Sequence, residues 1–435
     1  MRRTTWTAAL AAGVTSALVL TGCGGGQGVG GSTAESSGTF SGTYDGPNVE
    51  LAYWNGFTGG DGPFMQKLVD QFNSEHKNIS VKSNTIQWAD FYQRVPAAVQ
   101  AGQGPDVGVM HLDQLATHAA RNIIIPLDDL AKEIGLTADD FTQNIWDAGI
   151  YKDKRYGIPL DVHSLAMYYN KDHFAKAGIT DPPTDEKSFM EALDKLKKAG
   201  FATPFWMPSL WPSHLMYLSL MWQGGQEPYG EDGKQAAYDS DAGVAALEWQ
   251  RSMVDKGYSP PNVAIDSQYA AFKNGKNSIT WDGIWQINDL ESSKVNYGIA
   301  PIPQIFDKPA FWANSHHFFI STQAAKDENK LQASKVFIAW MSEHSADWAG
   351  SGMIPARKSV RADAVKGKPQ EVIAEQIENM HFLPPVPGVG GVQAETLEPA
   401  VANGVLGKGA PADELKSAAS KANQLMERNR ESFGD

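Results

Sequence analysis

Between residues 48 and 110 the apolar periodicity switches repeatedly between two values, and this alternation constrains the fold more than any other feature of the chain. Val49, Leu51 and Tyr53 alternate with Glu50, Ala52 and Trp54 as in a strand, and Phe64, Met65, Leu68, Val69 and Phe72 then fall on one helical stripe. A second strand at 79–86 leads to a helix around 91–101, and Pro105-Asp106-Val107-Gly108-Val109-Met110 opens a third strand. Strand and helix in alternation indicate an α/β layer on a largely parallel sheet. Ligands of such sheets bind beyond the carboxyl ends of the strands. Here that region is the loop at 55–61, with Thr58, and the segment His111-Leu112-Asp113. A Gly-rich loop before a helix also suits a phosphate, but the loop has neither a P-loop lysine nor the full dinucleotide fingerprint.

The length of the chain bears on how many such layers there are. Arg2 and Arg3 precede a charge-free run at 4–20 and then Leu20-Thr21-Gly22-Cys23, a pattern expected of a secretory signal over residues 1–22, too short for a comfortable membrane span. Residues 23–46 are rich in Gly, Ser and Thr and cannot bury enough surface to fold, so they are expected to form a flexible tether. The roughly 410 residues after the signal exceed what a single core usually holds, and two lobes are expected. Cys23 is the only cysteine, so stability must come from packing and not from a disulfide. The formal charge of −13 becomes about −15 without Arg2 and Arg3, which argues against binding nucleic acid or an anionic membrane through a basic patch.

Within residues 157–173 an apolar run reads as a buried strand, and inside it sit one carboxylate, Asp161, and one imidazole, His163. A buried charge is costly unless paired. We expect the chain to cross between lobes here, with Asp161 facing a cleft. Farther on, an amphipathic helix at 185–198 stops at Gly200, and apolar helices are expected at 215–222, 242–254 and 331–341. Trp206 and Trp211 lie between prolines, outside any helical stripe, where both ligand contact and lobe packing are open. Trp281, Asp282 and Trp285 sit at a strand end and turn; Trp312, Asn314 and Ser315 lie at the open end of a buried strand. His316 and His317 point to opposite faces of any strand and make a poor chelating pair, so no metal and no cofactor are expected. Arg357 has three open roles: a fork to a sugar hydroxyl, a partner for Asp161, or a structural ion pair. The Pro- and Gly-rich run at 383–392 reads as a rim loop.

Several of these stretches share a family likeness. Pro159-Leu160-Asp161, followed by Leu165-Ala166-Met167-Tyr168-Tyr169-Asn170-Lys171-Asp172, resembles the hinge-crossing segment of extracellular solute-binding protein family 1, the maltose-binding-like sugar receptors of ATP-driven importers. The run Tyr53 to Gly62, then Leu68 to Asn73, then Gly102-Gln103-Gly104-Pro105-Asp106-Val107, is similar to that family's first loop, first helix and third strand. Trp222 to Gly230, the helix at 242–254, the return strand from Tyr297 and the segment Met353-Ile354-Pro355-Ala356-Arg357 match further elements in order. Gly275-Lys276-Asn277-Ser278-Ile279 departs from the family's Gly-Lys-Ala-Ala-Met pattern, in the strand and not at the turn. Leu20 to Cys23 resembles a lipobox, which implies a lipid on Cys23. The resemblance implies an α/β, two-lobed periplasmic-binding-protein-like fold with a hinge and central cleft. Its parts would be a first lobe at 47–160 and 297–342 and a second at 161–296 and 343–435. It also implies a monomer on the outer face of the cell membrane, held there by its lipid alone, that binds a carbohydrate and serves an ABC permease. It places a stacking tryptophan and a polar group near Trp281–Trp285.

A carbohydrate site needs aromatic faces for sugar C–H surfaces and charge-assisted partners for hydroxyls. The chain has 13 tryptophans. Trp281, Trp285 and Trp312 are the expected platforms, with Asp113, Asp161 and Asp282 as acceptors and Arg357 as donor; Thr58, His163, Trp206 and Asn314 complete the expected site. The expectation is a binding protein and not an enzyme. Two alternatives stay open: a secreted glycoside hydrolase, which would need two carboxylates at a fixed separation, and a receptor for a non-sugar solute.

Overall fold

The computed structural model describes residues 42–230 and 233–434; the expected signal, Cys23 and most of the expected tether lie outside the described residues. Two sheets organise the described chain. The first is built by β1 (Val49–Asn55), β2 (Ile79–Thr85), β3 (Val107–His111), β4 (Ile158–Pro159) and, much later, a strand over His316–Ile320. Between β4 and that return lie β5 (Asp161–Asn170), β6 (Ile279–Gly283), β7 (Tyr297–Ala300) and β8 (Phe311–Asn314), after which His316–Ile320 is β9. The second sheet is completed by β10 (Ile354–Pro355) and β11 (Met380–His381).

In the first sheet the order is β2-β1-β3-β9-β4. β1 runs parallel to β2 and β3, as the strand–helix alternation requires. β9 returns antiparallel, pairing His316 with His111 and Ile320 with Val107. The helices that make the parallel connections form where the periodicity predicts: Gly62–Glu75 has Pro63 in its first turn and buries Met65, Leu68, Val69 and Phe72. Buried Asp106, just before β3, accepts the Ala52 N–H at 2.9 Å and meets Lys330 Nζ at 2.9 Å, so its charge is paired.

The second sheet is arranged around β5. Its first half pairs with β10 through Val162 and Asp161 and with β8 through Ser164 and His163; its second half pairs with β6 and β7. All of its residues but Tyr169 are buried, so both of its faces are covered, which is why this strand reads as apolar without alternation. The helix Glu186–Lys198 packs nearby, opened by an Asp185–Ser188 capping box and followed by Gly200 at φ +101°. Ser213–Gln223 is buried along its whole length.

Two boundaries differ from expectation. The sequence puts the return to the first lobe at Tyr297, but β7 and β8 both pair with β5 in the second sheet, and the chain re-enters the first sheet only after Ser315. Apolar alternation marks a strand but not which sheet it joins. The expected rim loop at 383–392 is partly helix: Val389–Leu406 starts within it, after Gly388 at φ +84°, and packs beside the C-terminal helix Pro411–Phe433. Among the described residues no helix is long and apolar enough to cross a membrane.

Candidate functional site

The sheets meet where the chain crosses twice, at Leu160 and at Ser315. Both crossings are pinned by backbone. Leu160 donates its N–H to the His316 carbonyl at 2.8 Å, Leu112 to the Ser315 carbonyl at 2.9 Å, and the Ser315 hydroxyl to the Asp161 carbonyl at 2.6 Å. The ends of β3, β5, β8 and β9 therefore converge, as expected for an α/β protein that binds beyond its strand ends.

Asp161 lies at the centre with no exposed surface. Its carboxylate accepts the His316 N–H at 3.1 Å, the His316 Nδ1–H at 2.8 and 3.0 Å, the His163 Nδ1–H at 3.3 Å and the Trp348 indole N–H at 2.7 Å. Burial opposes ionisation, but the neighbouring His316 and His163 more than offset it and hold the carboxyl well below the usual range. The expected partner therefore exists, but the expected exposure to a cleft does not: this carboxylate binds the protein to itself. Burial, with His316 beside it, draws His163 down to about 4.

An aromatic row leads from this buried cluster to the surface. The His163 ring stacks on His316 at 4.3 Å and stands 6.0 Å from Trp312 and 5.9 Å from Trp285. Trp285 meets Trp312 edge to face at 6.3 Å and Trp211 at 6.5 Å. Trp312 is 5% exposed, Trp285 half-buried and Trp211 39% exposed, so the row emerges step by step. Gly283 makes room for it: a Cβ there would lie 2.2 Å from the Trp285 ring. On the other side, Trp88 stacks on His316 at 5.4 Å and tilts against His111 at 4.4 Å. Burial lifts the nearby Asp113 carboxyl to about 6, partly offset by the Asn314 side chain.

Of the expected site residues, Asp113, Asp161, His163, Trp285, Trp312 and Asn314 come together here. Others do not. Trp281 has no exposed surface, stacks on Trp249 at 5.5 Å and packs against Phe189 and Phe205, so it belongs to the second-lobe core. It alternates along β6 with Asp282, and the outward turn comes only four residues later, at Trp285. Asp282 is buried and receives the Gly283 N–H at 2.8 Å and the Gln268 amide at 3.2 Å, while burial raises its carboxyl to about 6. It braces the turn that carries Trp285. Trp206 is half-buried and donates to Thr203 at 3.0 Å; Thr58 is exposed on its loop, although Gly60 of that loop lies against the backbone of Trp285. Trp211, left open from sequence, joins the row.

Arg357 takes the third of its three open roles. Its Nε donates to Asp140 at 2.8 Å, and the same carboxylate receives the Ser359 N–H and hydroxyl at 2.7 and 2.8 Å. Arg357→Ala should therefore cost about 1 kcal/mol of stability, as a partly exposed ion pair does, and leave solute affinity within about twofold. A tenfold loss of affinity, measured by titration calorimetry, would return Arg357 to the site. Trp88, Trp348 and Tyr92 carry no sequence signal that singles them out; His111 and His316 are visible in the sequence but not as partners. Two open surface grooves, one along Lys234 and Arg430 and one along His76 and His344, share no residue with this junction.

The profile of a family described as bacterial extracellular solute-binding protein matches residues 58–348. A maltooligosaccharide ABC transporter solute-binding lipoprotein of Streptococcus pneumoniae is 26% identical over 68% of this chain and 70% of its own. The sn-glycerol-3-phosphate-binding periplasmic protein of Pectobacterium atrosepticum is 23% identical over 87% of this chain and 92% of its own. Among solved structures, the GacH receptor of Streptomyces glaucescens, studied unliganded and with acarbose, superposes with a TM-score of 0.77 at 20% identity, covering 90% of this chain and all of that one.

Proposed function

Because the chain belongs to the family of bacterial extracellular solute-binding proteins, we propose that it is the solute receptor of an ATP-driven importer and holds a neutral oligosaccharide between its lobes. The observation that carries this reading is the row Trp211, Trp285 and Trp312, which runs from solvent to the junction of the two sheets. Indole faces suit the weakly positive C–H faces of sugar rings, and a row of them spans more than one residue of a chain. Asp113 and Asn314 lie at its inner end to receive and share hydroxyl hydrogen bonds.

Closure follows from the crossings. Trp312 stands on β8 of the second sheet and Trp285 in the turn that follows β6, whereas Asp113 follows β3 of the first. A ligand touching both stabilises the closed arrangement through contacts the open one lacks. The lobes are taken as 47–160 with the return from 316 through the helix Glu328–Glu343, and 161–315 with the remainder of the chain. A lipid on Cys23 and a tether over 23–46 would hold the receptor beside its permease at the outer face of the membrane, as a monomer. Fatty-acid labelling lost in Cys23→Ser tests the anchor.

The solutes named for the relatives differ, and the junction favours the sugar. A phosphate ester needs cationic forks, yet Arg357 is committed to Asp140, and the groups named at the inner end of the row are a carboxyl, an amide and the buried His163 imidazole, none of them a guanidinium. Thermal melting of the purified protein with malto- and manno-oligosaccharides, and with sn-glycerol 3-phosphate, decides between them. A solute at a hundred times its Kd stabilises by about 2.7 kcal/mol, a shift of several degrees. A shift with an oligosaccharide recovered intact supports this reading; cleavage would favour a hydrolase, and a shift with glycerol phosphate alone would overturn the sugar.

A further inference from the structure

We propose that His111, His163 and His316 form a binding site for one transition-metal dication of the zinc class, at the point where the two lobes join. Their ligand-capable atoms lie within 4.8 Å of one another. His111 ends β3 and His316 opens β9, both in the first sheet, while His163 stands on β5 of the second. No metal-ligand spacing appears in the sequence because these segments are distant along the chain and are assembled only by β9 pairing with β3 and β5 with β8.

The hydrogen bonds of the three rings are those of a metal triad. His163 and His316 both give Nδ1–H to Asp161, and His111 Nδ1 meets the Tyr92 hydroxyl at 2.5 Å. A metal-bound imidazole characteristically donates its other nitrogen to a carboxylate or another oxygen, which fixes the tautomer that leaves Nε2 with its lone pair. Here one carboxylate serves two rings and the phenol can serve the third. Nε2 of His316 is buried and has no hydrogen-bond partner. Burying such a nitrogen unpaired is costly, and an ion shared with the other two rings removes that cost.

Three imidazoles suit zinc, copper or nickel, whereas calcium and magnesium require oxygen ligands. A zinc–nitrogen bond is about 2.0–2.1 Å, so tetrahedral binding draws the three nitrogens to roughly 3.4 Å apart. Binding therefore requires the rings to close from a spacing of up to 4.8 Å to that distance. Three protein ligands leave a fourth position open, and the His163 ring is next to Trp312 and Trp285. The site stands on its own geometry whether the transported solute is a sugar or not.

The test uses the purified protein after chelator treatment and dialysis, with no sugar present. Cobalt(II) is added and the visible spectrum recorded, then zinc(II) is titrated by calorimetry and thermal melting. One equivalent of cobalt with the intense visible bands of a four-coordinate ion, displaced by one equivalent of zinc, is the expected result. His163→Gln and His316→Gln should each weaken zinc by at least tenfold, whereas His76→Gln, at a surface groove, should not. A wild-type protein that shows no such spectrum and no 1:1 zinc binding overturns the proposal without recourse to any variant. Stoichiometric binding that both folded variants retain, or that His76→Gln removes, also overturns it by placing the ion elsewhere.

Discussion

Asp161→Ala is expected to destabilise the protein by about 3–5 kcal/mol, the cost of breaking a buried, hydrogen-bonded charge cluster from one side. The substitution removes the acceptor of the His316 backbone N–H, the His316 and His163 rings and the Trp348 indole. None of those donors reaches water, so each is left unsatisfied. At roughly 2 °C per kcal/mol for a large domain, the melting temperature should fall by about 6–10 °C. Asp161→Asn retains one oxygen and should lie between the two. From sequence alone this aspartate is expected to face a cleft; its complete burial turns it instead toward the protein's own donors. A variant melting within about 2 °C of the parent would show that the cluster contributes little.

The reason for that reversal also explains what the sequence can and cannot convey. Strand and helix identity along 48–110, the stripe of Gly62–Glu75 and the stop at Gly200 are local matters of periodicity and backbone preference, and all form as read. The two-lobed fold follows from length together with that alternation. What periodicity does not specify is which strands pair. β7 and β8 join β5, so the second crossing falls at Ser315 and not at Tyr297, and only that register brings His316 opposite His111. Trp281 and Trp285 show the same limit at smaller scale. Both are indoles at a strand end, and one turn of backbone decides that the first packs on Trp249 while the second reaches the row.

That pair supplies the other large effect. Trp285→Ala should weaken oligosaccharide binding by roughly 30- to 100-fold, about 2–2.8 kcal/mol. It removes the middle platform of the row and the surface that separates Trp211 from Trp312. Its half-buried position means that the fold loses little, and the melting temperature without ligand should stay within about 3 °C. Trp281→Ala should do the opposite. It opens a cavity among Phe189, Phe205 and Trp249, with an expected stability loss of about 3–5 kcal/mol, while molecules that remain folded keep their affinity. Titration calorimetry and thermal melting of the two variants side by side separate the roles. If Trp285→Ala bound sugar as the parent does, the row would be packing and not platform, and the solute would have to be sought on another surface. If Trp281→Ala lost affinity without losing stability, the second-lobe core would be transmitting strain through β6 and Gly283 to the indole that lies over it.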